Sequence, residues 1–239
     1  MNASRRQSSE MLYLLLAGLF VSALITCNLI ANKFVSVDLS FLGFNEPFRI
    51  SAGVLPYPIT FLITDILSEF YGRKRTNKVV LVGFVTSMFV LLILFLGGQF
   101  DSIQGSPINS DEYDKMFQNS WRVIGASMTA YVVAQLVDVR LFHFWKKLTN
   151  GKYLWLRNNG STIVSQLVDT ILVTTVLFIG VLSMEDIGDL VFDGWTFKLM
   201  VALADTPIIY FLAWAMRKYY KLSFSEEFED PTGIQGSRT

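Results

Sequence analysis

The run Val79–Gly97, VVLVGFVTSMFVLLILFLG, contains no charged residue. As a helix rising about 1.5 Å per residue it nearly spans the hydrocarbon core of a bilayer, which takes about 20 apolar residues. Five further blocks of similar length lie on either side of it: Leu12–Val35, Ser51–Tyr71, Trp121–Phe142, Ser161–Ser183 and Thr196–Met216. The whole chain has 239 residues, 52% hydrophobic against 17% charged, which is more apolar than an ordinary soluble domain. The expected fold is an all-α membrane protein with six transmembrane helices. One such domain takes up residues 1–221. Residues 222–239 are acidic, polar and Gly/Ser-containing, and they read as a disordered cytoplasmic tail.

The net charge is zero, so the distribution of charge carries the information. Arg5 and Arg6 precede the first block. Arg73, Lys74, Arg75 and Lys78 follow the second, Arg140, Lys146, Lys147, Lys152 and Arg157 follow the fourth, and Arg217, Lys218 and Lys221 follow the sixth. The alternate connections are acidic, with Asp101, Asp111, Glu112 and Asp114 after the third block and Glu185, Asp186, Asp189 and Asp193 after the fifth. Positive charge stays on the cytoplasmic side, so both termini are expected there. Between the first two blocks, Val35, Val37, Leu39 and Phe41 alternate with Ser36, Asp38 and Ser40, and Gly43 to Pro47 supply turn residues. This predicts a short extended hairpin on the extracellular or periplasmic face, as a lid or as a connector.

Cys27 and His143 are single examples of their kind. An internal disulfide and a zinc site built on several cysteines and histidines are therefore excluded. No glycine-rich phosphate loop ending in Lys-Ser/Thr is present, which argues against ATP hydrolysis by this chain.

Within the apolar blocks stand Asp65, Asp138, Asp169 and Asp205. A carboxylate in hydrocarbon costs several kcal/mol, so such residues face a bundle interior or a wet cavity. The phrase Gln-Leu-Val-Asp occurs at 135–138 and again at 166–169. Its Gln and Asp are three apart and share a helix face. Asp65 lies roughly 9 Å from the inner end of its block, Gln135 and Asp138 roughly 10 and 6 Å, and Gln166 and Asp169 roughly 8–12 Å. Asp205 lies nearer the middle. Asp65 and Glu69 are one turn apart, as are Asn28 and Asn32 on the first block. This layer reads as a site or pathway. The competing reading is interhelical hydrogen bonding with no ligand. The second block opens Leu55-Pro56-Tyr57-Pro58, which suits either a broken helix lining a site or a proline in an ordinary first turn.

Tyr57-Pro-Ile-Thr-Phe-Leu-Ile-Thr-Asp65 with Phe70-Tyr-Gly72, then Ala130-Tyr131 with Gln135 and Asp138-Val139, then Leu156-Arg-Asn-Asn-Gly-Ser-Thr162 with Ser165 and Asp169-Thr170, stand in this order. Together they resemble the YhhQ-type queuosine precursor transporters, also called the putative vitamin uptake family, over about Leu12 to Tyr220. The resemblance implies a secondary active inner-membrane importer of a 7-deazaguanine base (cyano- or aminomethyl-deazaguanine, or queuine) and no enzyme activity, cofactor or nucleic-acid partner. A guanine-like edge offers adjacent N–H donors to a carboxylate and carbonyl acceptors to an amide. Asp65, Gln135, Asp138, Gln166 and Asp169, with Asn28 and Asn32, are then the candidate polar wall, and Tyr57, Phe61 and Tyr131 the stacking partners. Asp205 and Glu69 are candidates for coupling to a proton or sodium ion. Its setting is the lipid bilayer, and whether it stands there alone or as a homodimer stays open at this point. Two alternatives stay open at this point. One is a substrate-binding subunit of an ATP-driven uptake system. The other is a magnesium-dependent lipid-phosphate enzyme using Asp65 and Glu69.

Overall fold

The computed structural model describes residues 3–30, 33–38, 48–117, 121–178, 180, 183–223 and 226–228. In chain order these form α1 (Ala3–Leu29), β1 (Phe34–Val37), β2 (Phe48–Ser51), a 3₁₀ turn (Ala52–Val54), α2 (Tyr57–Phe70), α3 (Gly72–Gly97), α4 (Ser110–Phe117), α5 (Trp121–Leu148), α6 (Leu154–Phe178) and α7 (Met184–Tyr220). The two strands pair antiparallel, with Val35 opposite Ile50. Residues 39–47, which carry the predicted turn, lie outside the described residues.

The polarity of the molecule is inverted relative to a soluble protein. α1 exposes Met11, Leu14, Leu15 and Leu19, and α3 exposes Leu81, Val82, Val85 and Phe89. The interior instead holds Asp65, Glu69, Gln135, Asp138, Arg157 and Asp169. Apolar residues outside and ionisable residues inside are what a lipid solvent selects. Arg5–Leu29, Gly72–Gly97 and Met184–Tyr220 are each long and apolar enough to cross a membrane. The protein is thus a helical membrane protein.

The second apolar block corresponds to a shorter helix than its sequence suggests. α2 has 14 residues, about 21 Å, which is less than the hydrocarbon thickness of about 30 Å. Strand β2 and the 3₁₀ turn replace its expected first two turns. From Thr60 to Phe70 almost every side chain is buried, because α2 packs against α1, α3, α5 and α7. Pro58 sits in the first turn, where its missing N–H costs nothing, so no broken helix is needed to explain it. After Phe70 the chain reverses at once. Gly72 adopts φ +74°, a conformation that disfavours a side chain, and α3 begins there. Arg73, Lys74, Arg75 and Lys78 therefore belong to the first turns of α3 and do not form a loop. In the same way the acidic residues from Glu185 to Asp193 lie on the first turns of α7, capped by Ser183, whose hydroxyl accepts from the Asp186 N–H. α7 runs for 37 residues, about 55 Å, and contains Pro207, which leaves the Leu203 carbonyl without its usual helical donor.

One end of the bundle is held by a buried ion cluster. Glu69 of α2 accepts from Arg157 of α6 at 2.6 Å and from Arg217 of α7, and lies 3.6 Å from Lys146 of α5. Lys146 also donates to the Glu69 carbonyl at 3.0 Å and to Glu227 at 2.9 Å. Within the segment read as a solvated tail, Phe228 packs among Phe70, Tyr71 and Tyr220, and its N–H donates to the Phe70 carbonyl at 2.7 Å. The start of α1 joins this end, since Arg75 pairs with Glu10 at 2.5 Å. The basic residues that follow the second, fourth and sixth blocks therefore contribute to a single end of the molecule.

Removing one member of a buried ion cluster strands the others, at a cost of about 3–5 kcal/mol, whereas a partly exposed pair is worth about 0–1 kcal/mol. Glu69→Ala is therefore expected to lower the unfolding temperature in detergent far more than Glu10→Ala. Equal shifts in a thermal melt of the two variants would contradict the clamp.

Candidate functional site

α2, α6 and α7 line a narrow cleft, with a cavity volume of about 30 Å³, that opens to the surroundings. α2 contributes Tyr57, Phe61 and Asp65, spaced one turn apart along one face. α6 contributes Asn158, Thr162 and Gln166 with the same spacing. α7 contributes Phe197, Lys198, Val201, Ala202 and Asp205. The four-residue rhythm on both α2 and α6 is the reason that a stripe of polar and aromatic groups faces one space.

The wall combines aromatic surface with unsatisfied polar atoms. The rings of Tyr57 and Phe61 lie 5.4 Å apart, and Tyr131 of α5 packs edge-on behind them, 5.6 Å from Tyr57 and 6.5 Å from Phe61. Tyr57 Oη, Asp65 Oδ1 and Gln166 Oε1 are buried without a hydrogen-bond partner. Buried polar atoms are normally paired, so three orphans around one cleft point to a ligand or water that satisfies them. Lys198 reaches in from α7. Its ammonium binds Asp169 Oδ2 at 2.7 Å and Thr170 Oγ1 at 3.2 Å, and lies 4.9 Å from the Tyr57 ring centre. Asp169 therefore stands at the cleft through its cation.

Behind the wall lies a second polar layer from α5. Thr64 donates to Gln135 Oε1 at 3.2 Å, and Gln135 Nε2 donates to Tyr131 Oη at 2.8 Å. Asp138 Oδ1 accepts from Ser165 at 2.9 Å and from Thr162 at 3.4 Å. Asp138 and Asp65 face each other within hydrogen-bonding reach. Gln135, Asp138 and Tyr131 thus support the wall and are not among the residues lining the cleft.

Three other predicted residues are placed elsewhere or not at all. Asn28 donates to the Leu24 carbonyl at 2.8 Å and contacts Met128 Sδ at 3.7 Å, and it lines a small apolar crevice between α1 and α3 instead. Asn32 lies outside the described residues. Glu69 belongs to the ion cluster, so it and Asp65 do not converge on a shared metal position as the magnesium reading requires. Among the described residues no group of three or more His, Cys, Asp or Glu side chains could hold a metal ion.

Sequence reasoning missed Lys198, Asn158 and the role of Arg157. A lysine inside an apolar block is costly unless it is paired, and that cost was the available signal for Lys198. Arg157 looked like a loop base, but it is 1% exposed and bound to Glu69.

A lipid-facing helical bundle with a partly polar cleft reaching its interior is the organisation of a membrane transporter. Residues 51–212 match the family described as "Putative vitamin uptake transporter", and the chain belongs to that family. It is 30% identical over 179 residues to the "Probable queuosine precursor transporter" of Bacillus subtilis, covering 74% of this chain and 78% of that one. It is 25% identical over 177 residues to the protein of the same name from Haemophilus influenzae, covering 71% of each. To the "Queuosine precursor transporter" of Escherichia coli it is 23% identical over 141 residues, covering 59% of each. No solved structure matches the chain. The family and these relatives are transporters, not enzymes.

Thiols react as thiolates, which form in water and not in lipid. In a Cys27→Ser background, Val201→Cys in the cleft is expected to react with a charged methanethiosulfonate reagent, while Phe89→Cys on the exposed face of α3 is not. Equal labelling of the two would show that the cleft is no wetter than the lipid-facing surface.

Proposed function

We propose that this chain imports a 7-deazaguanine precursor of queuosine, bound between α2, α6 and α7. The observation that carries the reading is the pairing of stacking surface with orphaned acceptors. Tyr57 and Phe61 stand two turns and one turn before Asp65, and Gln166 lines the same cleft from α6. A guanine-like edge presents adjacent N–H donors, which the acceptors Asp65 Oδ1 and Gln166 Oε1 suit, and a carbonyl oxygen, which the Lys198 ammonium or the Asn158 amide suits. A flat heterocycle stacks on Tyr57 and Phe61. The names of the relatives from Bacillus subtilis, Haemophilus influenzae and Escherichia coli point to the same substrate class.

The proposed topology has six crossings made by α1, α2, α3, α5, α6 and α7, with the ion-clustered end and both termini in the cytoplasm. α2 completes its crossing with the β1–β2 segment. Transport is secondary active through the inner membrane, by rocking of helices around the cleft.

The test is uptake of a radiolabelled 7-deazaguanine base, under an imposed ion gradient, by vesicles containing only the purified chain, with no ATPase added. Uptake by the native chain is expected. Asp65→Asn and Asp169→Asn are expected to insert normally and to lose it. A hydrogen bond to a charged group is worth about 1.5–3 kcal/mol, so binding of the base should weaken about 10- to 100-fold in Asp65→Asn. Native-level uptake in both variants would reject the site. Uptake that appears only with a separate ATPase would instead make the chain a substrate-binding subunit.

A further inference from the structure

The carboxyl groups of the interior divide into two kinds. Glu69 has Arg157, Arg217 and Lys146 around it, and Asp169 has Lys198 at 2.7 Å. These two are charge-compensated. Asp65 and Asp138 are 1% and 0% exposed, and no cation forms an ion pair with either among the described residues. They face each other across the α2–α5 contact. Asp65 Oδ1 and Asp138 Oδ2 are both buried without a partner. The remaining Asp138 oxygen already accepts from Ser165 and Thr162, and the nearby Ser161 hydroxyl donates to the Asn158 carbonyl at 3.1 Å.

Two carboxylates in contact, both ionised and both out of water, are strongly repelled, and each orphaned oxygen adds a desolvation cost. One proton removes both penalties. It bonds to an oxygen of one carboxyl and is accepted by an oxygen of the other, leaving a single negative charge shared by the pair. We infer that Asp65 and Asp138 form a proton-binding site, and that this site couples transport to the proton gradient.

The surrounding groups support this assignment. On α2, Glu69 lies one turn further along and is held by its cations. On α6, the charge of Arg157 reaches Asp65 through space, but its terminal nitrogens bond to the Gly151 carbonyl and to Glu69 at 2.6 Å each. On α5, Gln135 is neutral and bonded to Tyr131. On α7, Lys198 is bound to Asp169, and Asp205 lines the same cleft as Asp65 without taking part in the contact. Asp65 faces both the cleft and Asp138, so a donor-rich ligand arriving at Asp65 changes the proton's environment directly. That shared residue is the structural basis for coupling, which rests on the proposed function. Of the predicted coupling residues, Glu69 is already compensated, which transfers this role to the Asp65–Asp138 pair.

Two measurements test the inference separately from the choice of substrate. The first is the infrared spectrum of the purified native protein at neutral pH, which should contain a carboxylic-acid C=O band. The band should vanish in Asp65→Asn and in Asp138→Asn, and persist in Asp205→Asn. Its absence from the native protein, or its survival in both dyad variants, would overturn the proton site. The second is uptake of a 7-deazaguanine base by vesicles with and without an imposed pH gradient. The native chain should accumulate the base only with the gradient, and Asp138→Asn should lose the gradient dependence. Accumulation driven equally well without a pH gradient would overturn the coupling. A native protein that shows the band but takes up no deazaguanine under any gradient would support the proton site and reject the substrate reading.

Discussion

Ionised side chains cannot be left unpaired in a low-dielectric interior, and that constraint organises this protein. Each buried carboxylate finds a specific answer. Glu69 draws three cations from three helices and ties one end of the bundle together. Asp169 takes Lys198, which anchors α7 to α6 beside the cleft. Asp65 and Asp138 take each other. The apolar exterior of α1 and α3 contributes insertion but little specificity, because lipid tails are as apolar as leucine and drive no association between helices. The polar contacts set the register of the helices, and the same contacts build the cleft.

The short α2 helix is the geometric counterpart of this constraint. It is too brief to cross the hydrocarbon by itself, and it is surrounded by longer helices that shield it from lipid. That position allows Asp65, Glu69 and three hydroxyl residues, Thr60, Thr64 and Ser68, to be buried on a single short element. Its abrupt end at Tyr71 and Gly72 turns α3 back beside it, and Phe228 then packs over the junction. The 3₁₀ turn before α2, Ala52–Val54, lies against α1, and non-helical backbone at membrane depth is tolerated where protein covers it.

Much of this was legible in the sequence, for identifiable reasons. Apolar block length reports bilayer thickness, so the helices were visible, and acidic residues within those blocks stood out against it. The three-residue spacing of Gln135 and Asp138, and of Gln166 and Asp169, put each pair on one helix face, and of these four Gln166 lines the cleft itself. Depth counting placed Asp65 and Asp138 at comparable heights, and the structure brings them into contact. Other features depend on which helices are neighbours, and spacing within one helix carries no such information. Asn28 looked equivalent to the other amides, but α1 turns it towards Met128 and the α1–α3 crevice. Glu69 shares a face with Asp65, but α2 ends beside Arg157 and Arg217, which are distant in sequence. The second block also looked like a full span, because the apolar residues of β2 and the 3₁₀ turn run on into those of α2.

The central claim is that a ligand sits against the polar stripe between α2, α6 and α7. Photocrosslinking with a 7-deazaguanine carrying an aryl azide, followed by mass spectrometry of the labelled peptides, tests it most directly. Labels are expected on α2 between Tyr57 and Asp65 or on α7 between Phe197 and Asp205, competed away by the unmodified base. Competable labels confined to α1 and α3, around Asn28 and Ser87, would place the ligand elsewhere and contradict the account.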